Sequence, residues 1–122
     1  MLNRVHAAVA VLFVVMILIQ VFLAGAALSS LGGSGDFGSH IEFGYTAVGL
    51  AALALLVTAL IARRPRRDVG ISVGILVLYV VQTLLPAAKT SLPFVAALHP
   101  VNALLLFGLA AWYARHAWRT AN

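Results

Sequence analysis

Four long apolar runs, separated by short polar segments, fill most of this chain and leave it few ways to fold. Each run is about 20 residues or slightly more, the length that a hydrocarbon core about 30 Å thick demands of a helix. Backbone N–H and C=O groups inside lipid must bond within their own segment, so helices are the expected state of all four. The spacing predicts helices over about 6–28, 37–62, 69–87 and 93–118. The first connection, Ser29-Ser30-Leu31-Gly32-Gly33-Ser34-Gly35-Asp36, is rich in residues that break regular structure. Pro65 stops the second helix, and Pro93 suits the first turn of the fourth. Pro100 then falls inside that helix, where it is expected to free the Ala96 carbonyl and bend the chain beside His99.

With 63% hydrophobic and 9% charged residues, the chain lies outside the range of a soluble domain. The apolar runs leave no room for a separate soluble domain, so one transmembrane domain over 1–122 is expected. The net charge of +5 does not point to nucleic acid. Seven of the eight basic residues are arginines, and four of those, Arg63, Arg64, Arg66 and Arg67, sit in one short loop. Arg4, that loop, Arg115 and Arg119 fall on one side of the predicted bilayer, and Lys89 on the other. The positive-inside rule then places both termini in the cytoplasm, in an inner membrane of bacterial type. Trp112, Tyr113 and Trp118 read as an aromatic belt on that side. The first 28 residues resemble a signal peptide, but their apolar run exceeds a typical signal core and is expected to stay as a spanning helix. The absence of cysteine excludes disulfides, thiolate metal sites and covalent haem attachment through a Cys-x-x-Cys-His motif.

The two halves of the chain match. In the first, Gln20 is followed by a loop, His40 and Gly49; in the second, Gln82 is followed by a loop, His99 and Gly108. The residues four after each histidine, Gly44 and Ala103, are both small. The expected fold is therefore all-α: an up-down four-helix membrane bundle made of two similar helical hairpins, related by an axis along the membrane normal.

In such a bundle helices 2 and 4 are parallel and diagonal, and His40 and His99 come to one level in the outer half of the membrane. An imidazole at that depth is costly without a partner, so each is a functional candidate by default. Two neutral imidazoles offer an iron two axial nitrogens, and apolar surroundings suit a porphyrin. Gly44 and Ala103, one turn below the ligands, would leave room for a flat macrocycle. Anionic propionates would face the outer surface, where the N-termini of helices 2 and 4 point and where Lys89 and Ser39 are candidate contacts. One haem b on His40 and His99 is the expected cofactor. Zinc suits the site poorly, because it wants three or four ligands and only Glu42 is at hand. Glu42, two residues after His40, points away from it.

Gln20 and Gln82 are polar at depth and would bond each other, a backbone carbonyl or the haem edge, or serve as glue between helices. Asn102 lies one turn below His99 and would bond its imidazole or the backbone freed by Pro100. His6 and His116 form a second pair near the cytoplasmic face. A second haem is not expected there, since snorkelling interfacial residues give the same pattern. Gly70-x-x-x-Gly74 is a small-xxx-small face that hints at a homodimer.

Three stretches carry a resemblance to a known family: Gln20 with the Ser34-Gly35-Asp36 loop, Gln82-Thr83-Leu84-Leu85-Pro86, and Leu98-His99-x-x-x-Ala103-Leu104-Leu105-Leu106-Phe107. Together they make the chain resemble one half of haem A synthase, a family built from two four-helix halves with a histidine pair on the second and fourth helices of each. It is similar, too, to short four-helix membrane proteins of unknown role. The resemblance implies that His40 and His99 are axial haem ligands. The family's glutamate ahead of a His-Arg pair has no counterpart, since His40 is followed by Ile41 and Glu42 comes after it. What the resemblance implies is thus the haem-b half-bundle rather than the oxidase reaction.

Three functions compete on the sequence. The first is a small b-type cytochrome that passes single electrons or holds haem; six-coordinate iron favours this over catalysis. The second is a cofactor-free accessory or assembly subunit of a larger, respiratory-type membrane complex. The third is a small multidrug-type transporter, which needs a titratable residue at mid-membrane where the first helix offers Gln20. No Ser–His–Asp set, carboxylate pair or phosphate-cradling loop points to an enzyme.

Overall fold

The computed structural model describes residues 1–121. It contains four helices long and apolar enough to cross a membrane: α1 (Leu2–Ala27), α2 (Gly38–Ile61), α3 (Arg66–Lys89) and α4 (Pro93–Ala121). Short connections make sequential helices antiparallel neighbours. Helix α1 packs on α2 and α4, and α3 packs on α2 and α4. The helices therefore form a square, with α1 and α3 on one diagonal and α2 and α4 on the other.

The core follows helical spacing. Ala7, Ala10, Phe13 and Ile17 bury one face of α1; Ala52, Leu55 and Ala59 one face of α2; and Leu106, Ala110, Tyr113 and Ala117 one face of α4. Many of these residues are alanine, and small side chains let helix backbones approach where lipid supplies no hydrophobic drive between helices. The large apolar side chains point the other way: Phe22, Leu50 and Leu104 are exposed, as a lipid-facing surface requires.

Each connection has a physical cause. Between α1 and α2, Gly32 and Gly35 take left-handed φ values of 86° and 79°. Asp36 Oδ1 accepts the Gly38 N–H at 2.8 Å, an Asx turn that leads into α2. Helix α2 ends with Arg63 in the left-handed region, φ 50°, and the Arg64 N–H bonds back to the Ala59 carbonyl at 2.9 Å. Helix α4 is broken at Ala97, between Pro93–Ala96 and Leu98–Ala121. Pro100 thus stands in the first turn of the renewed helix, where its missing N–H costs no ladder bond. The break falls just ahead of His99 rather than through an interior loss at Pro100.

Helix α2 holds a feature that sequence periodicity does not foresee. Residues Gly44–Val48 form a π turn, directly after the α-helical segment Gly38–Phe43 that carries His40. Such insertions are rare and recur at functional sites. Carbonyls near the turn find side-chain donors: Thr46 Oγ1 bonds the Glu42 carbonyl at 2.7 Å, and the Tyr79 hydroxyl bonds that of Gly44 at 3.1 Å. A Cβ at Gly49 would stand 2.5 Å from the Tyr79 hydroxyl oxygen, so any larger residue there would force the Tyr79 ring to move.

Candidate functional site

Two polar sites lie at opposite ends of the bundle. The first is built on His40 and His99, which project from diagonal helices to half-buried positions. Their ring centroids are 6.4 Å apart and their planes cross at 71°.

Each histidine is held by a glutamine of the preceding helix through the same pair of bonds. His40 Nδ1 lies 3.0 Å from the Gln20 backbone carbonyl, and His99 Nδ1 lies 3.1 Å from that of Gln82. A carbonyl only accepts, so both rings carry their proton on Nδ1. Both Nε2 atoms then keep a lone pair. The glutamine amides donate to these, Gln20 Nε2 at 3.3 Å and Gln82 Nε2 at 3.1 Å. A second proton of the Gln20 amide goes to the His40 carbonyl at 2.8 Å.

The two halves then diverge. Asn102, buried one turn below His99, donates to Gln82 Oε1 at 2.7 Å and to the Leu78 carbonyl at 2.9 Å. Phe43 holds the corresponding place, three residues after His40. Gln20 Oε1 is accordingly buried with no hydrogen-bond partner among the described residues. The Gln20 amide lies in the space that Gly44 leaves open; a Cβ on Gly44 would come within 2.6 Å of Gln20 Nε2.

Gln20, His40 and Gly44 therefore assemble in one hairpin, and Gln82, His99 and Asn102 in the other. Ala103 is half-buried on α4. Lys89 closes the 3₁₀ turn Leu85–Lys89 and is exposed, as are Ser39 and Glu42. No hydrogen bond or ion pair joins Lys89 to the histidines among the described residues. Packing is thin at this end: Gly38–Phe43, Leu85–Lys89 and Pro93–Ala96 contain no fully buried residue.

The second site lies at the arginine-rich end. His6 is fully buried between α2 and α4. Its Nδ1 is 3.0 Å from Thr58 Oγ1 and its Nε2 2.7 Å from the Tyr113 hydroxyl. Thr58 spends its own proton on the Ala54 carbonyl at 2.8 Å, so it accepts from Nδ1–H, and Nε2 accepts from Tyr113. Both His6 nitrogens are thus committed to protein partners. His116 pairs instead with Asp68, Nε2 to Oδ1 at 3.4 Å, and stacks on Trp112 with ring centroids 5.9 Å apart. Asp68, 2% exposed, also takes Arg64 at 2.6 Å, and Arg64 continues to Thr120 Oγ1 at 2.6 Å. His6, expected to be merely interfacial, is in fact buried; its bonds to α2 and α4, with the Asp68–His116 contact between α3 and α4, link all four helices at this end.

Tyr113 is correspondingly not a belt residue. It is fully buried, whereas Trp112 and Trp118 are exposed. Its neighbours in the sequence, Trp112 and Arg115, hide that difference. Alternation of exposed Trp112 with buried Tyr113, Ala110 and Ala117 at helical spacing is the signal that could have revealed it. The small-xxx-small face of α3 is open, since a Cβ at Gly70 or Gly74 would meet nothing within 4 Å.

Neither a curated protein nor a solved structure matches the chain. A family model does, over residues 20–89. The matched segment starts at Gln20, takes in His40 and Gln82, and covers more than half of the chain. The protein therefore belongs to the family of unknown function DUF6220.

Proposed function

We propose that this protein is a membrane b-type haem protein whose iron would be held by His40 and His99, and that it holds haem or passes single electrons. The observation that carries the reading is the histidine pair itself. Its ring centroids are 6.4 Å apart, both Nδ1 protons are anchored on backbone carbonyls, and both Nε2 lone pairs are engaged only by glutamine amides. The two rings would supply two neutral imidazole nitrogens to one haem iron. A backbone acceptor on Nδ1 is the usual device that orients a metal-binding imidazole and fixes its tautomer.

The remaining residues fit that cofactor with one rearrangement. Two nitrogen donors suit a metal whose other ligands come from a macrocycle. Among the described residues no group of three or more His, Cys, Asp or Glu is assembled for a bare ion. The Gln20 and Gln82 amides must swing off the Nε2 atoms. Gln20 is poised for this, because its Oε1 is unpartnered and its longer bond to His40 is 3.3 Å. The thinly packed end, where Gly38–Phe43, Leu85–Lys89 and Pro93–Ala96 bury no residue fully, supplies space. Bound haem would contribute a one-electron iron couple; the chain's own residues orient the ligands, exclude water with apolar surroundings and set the depth of the site.

The topology proposed with this reading puts both termini in the cytoplasm and the histidine pair towards the outer face. One observation favours a second reading. Every ring nitrogen of His40 and His99 has a protein partner, so the His–Gln pairs could serve as clasps in a cofactor-free subunit of a larger complex.

The test is an absorption spectrum of the detergent-purified protein, oxidised and then dithionite-reduced. Sharp reduced α and β bands with a shifted Soret peak, lost in His40→Ala and His99→Ala, are expected. A preparation that stays colourless after hemin is added overturns the proposal in favour of the clasp reading.

A further inference from the structure

The arginine-rich end carries far more positive than negative charge. Arg4, Arg63, Arg64, Arg66, Arg67, Arg115 and Arg119 lie there, whereas Asp36 and Glu42 lie at the histidine end. Asp68, the one carboxylate side chain at the arginine end, is already taken by Arg64 and His116. Arg4 has no ion-pair partner among the described residues.

Beside Arg4 the surface is not flat. A groove of about 350 Å³ runs between the start of α1 and the end of α4, lined by Arg4, Ala7, Ala8, Trp118 and Ala121. Three of its five lining residues are alanines. An arginine and a half-exposed indole stand at its mouth. The depth is that of the headgroup layer, because these residues are the terminal turns of two membrane-crossing helices.

We propose that this groove seats the headgroup of an anionic phospholipid from the surrounding leaflet. The guanidinium offers a planar, permanently charged fork that matches two phosphodiester oxygens. The Trp118 ring packs at the glycerol level, as interfacial indoles do. The alanine lining admits the start of the acyl chains. The surrounding arginines raise the local concentration of anionic lipid, and basic pockets between helices at this depth are suited to such headgroups. The inference uses no residue of the histidine pair and is independent of the haem reading.

Native mass spectrometry of protein exchanged into micelles that contain both phosphatidylglycerol and phosphatidylcholine tests it. The wild type is expected to retain one phosphatidylglycerol in preference to phosphatidylcholine. Arg4→Gln should weaken that retention about fivefold or more, the effect of one interfacial basic residue. Ala8→Leu, at an exposed position, fills the groove without touching the core and should weaken it as well. Arg66→Gln, outside the groove, should weaken it clearly less than Arg4→Gln does, through the general surface charge alone. Equal retention of the two lipids, equal loss in Arg66→Gln, or unchanged retention in both groove variants would overturn the proposal. So would displacement of the bound lipid by inorganic phosphate alone, which marks a free-anion site. The haem spectrum is read on the same samples, so either result stands apart from the fate of the cytochrome reading.

Discussion

Asn102 Nδ2 donates to Gln82 Oε1 at 2.7 Å, and this bond is where the two histidine sites part company. The Gln82 amide is held at both ends, by Asn102 and by His99, whereas the Gln20 side-chain Oε1 has no partner among the described residues. Asn102→Leu keeps the branching and heavy-atom count but strips Gln82 Oε1 and the Leu78 carbonyl of their donor. A buried acceptor left unmade, or an interhelical bond lost in a membrane bundle, costs about 1–2 kcal/mol. Chemical unfolding in mixed micelles should show that loss.

The glycines that end each half-repeat have opposite surroundings. A Cβ at Gly49 would press on the Tyr79 hydroxyl, while at Gly108 it would meet nothing within 4 Å. Gly49→Ala should destabilise the protein by displacing Tyr79 from the Gly44 carbonyl and disturbing the π turn. Gly108→Ala should instead stabilise it by about 0.5–1 kcal/mol, the helix-interior difference between the two residues. Thermal melts of the two variants should therefore shift in opposite directions. A common downward shift would mean that α4 is covered at Gly108.

Asp68 and Arg64 make a buried ion pair, with side chains 3% and 6% exposed. Asp68→Leu leaves the Arg64 guanidinium without its counter-charge and removes the partner of His116. Breaking one side of such a pair costs about 3–5 kcal/mol, whereas replacing both sides by apolar groups is often close to neutral. The double variant Arg64→Met/Asp68→Leu should recover most of the stability lost in the single one. If the double variant is as unstable as the single, the Thr120 and His116 contacts carry the network instead.

Much of this architecture is legible in the sequence because lipid permits so little. Run length sets the spans, and a polar residue inside an apolar run stands out, so Gln20, His40, Gln82 and His99 could be picked out by residue type. Their mutual bonds could not, since Nδ1 reaches the glutamine backbone, which every residue possesses. The buried network at the other end was hidden for a different reason. His6, Tyr113 and His116 lie among arginines and tryptophans, where the same residue types also serve as interfacial anchors. The π turn has no side-chain signature of its own, and only its consequences, Gly49 and the Tyr79 bond, are visible in structure.

Arg63 ends α2 with φ 50°, the left-handed region that a Cβ disfavours. Helices that end this way normally place glycine there, and the back-bond from the Arg64 N–H to the Ala59 carbonyl shows that the capping geometry is formed regardless. The side chain is exposed and makes no ion pair among the described residues, so its removal forfeits little. Arg63→Gly should therefore stabilise the bundle by about 1 kcal/mol through relief of the left-handed strain. A raised melting temperature with an unchanged helical circular-dichroism signal is the expected outcome. A lowered one would mean that the Arg63 charge does more for the bundle, through the interface, than its strain costs.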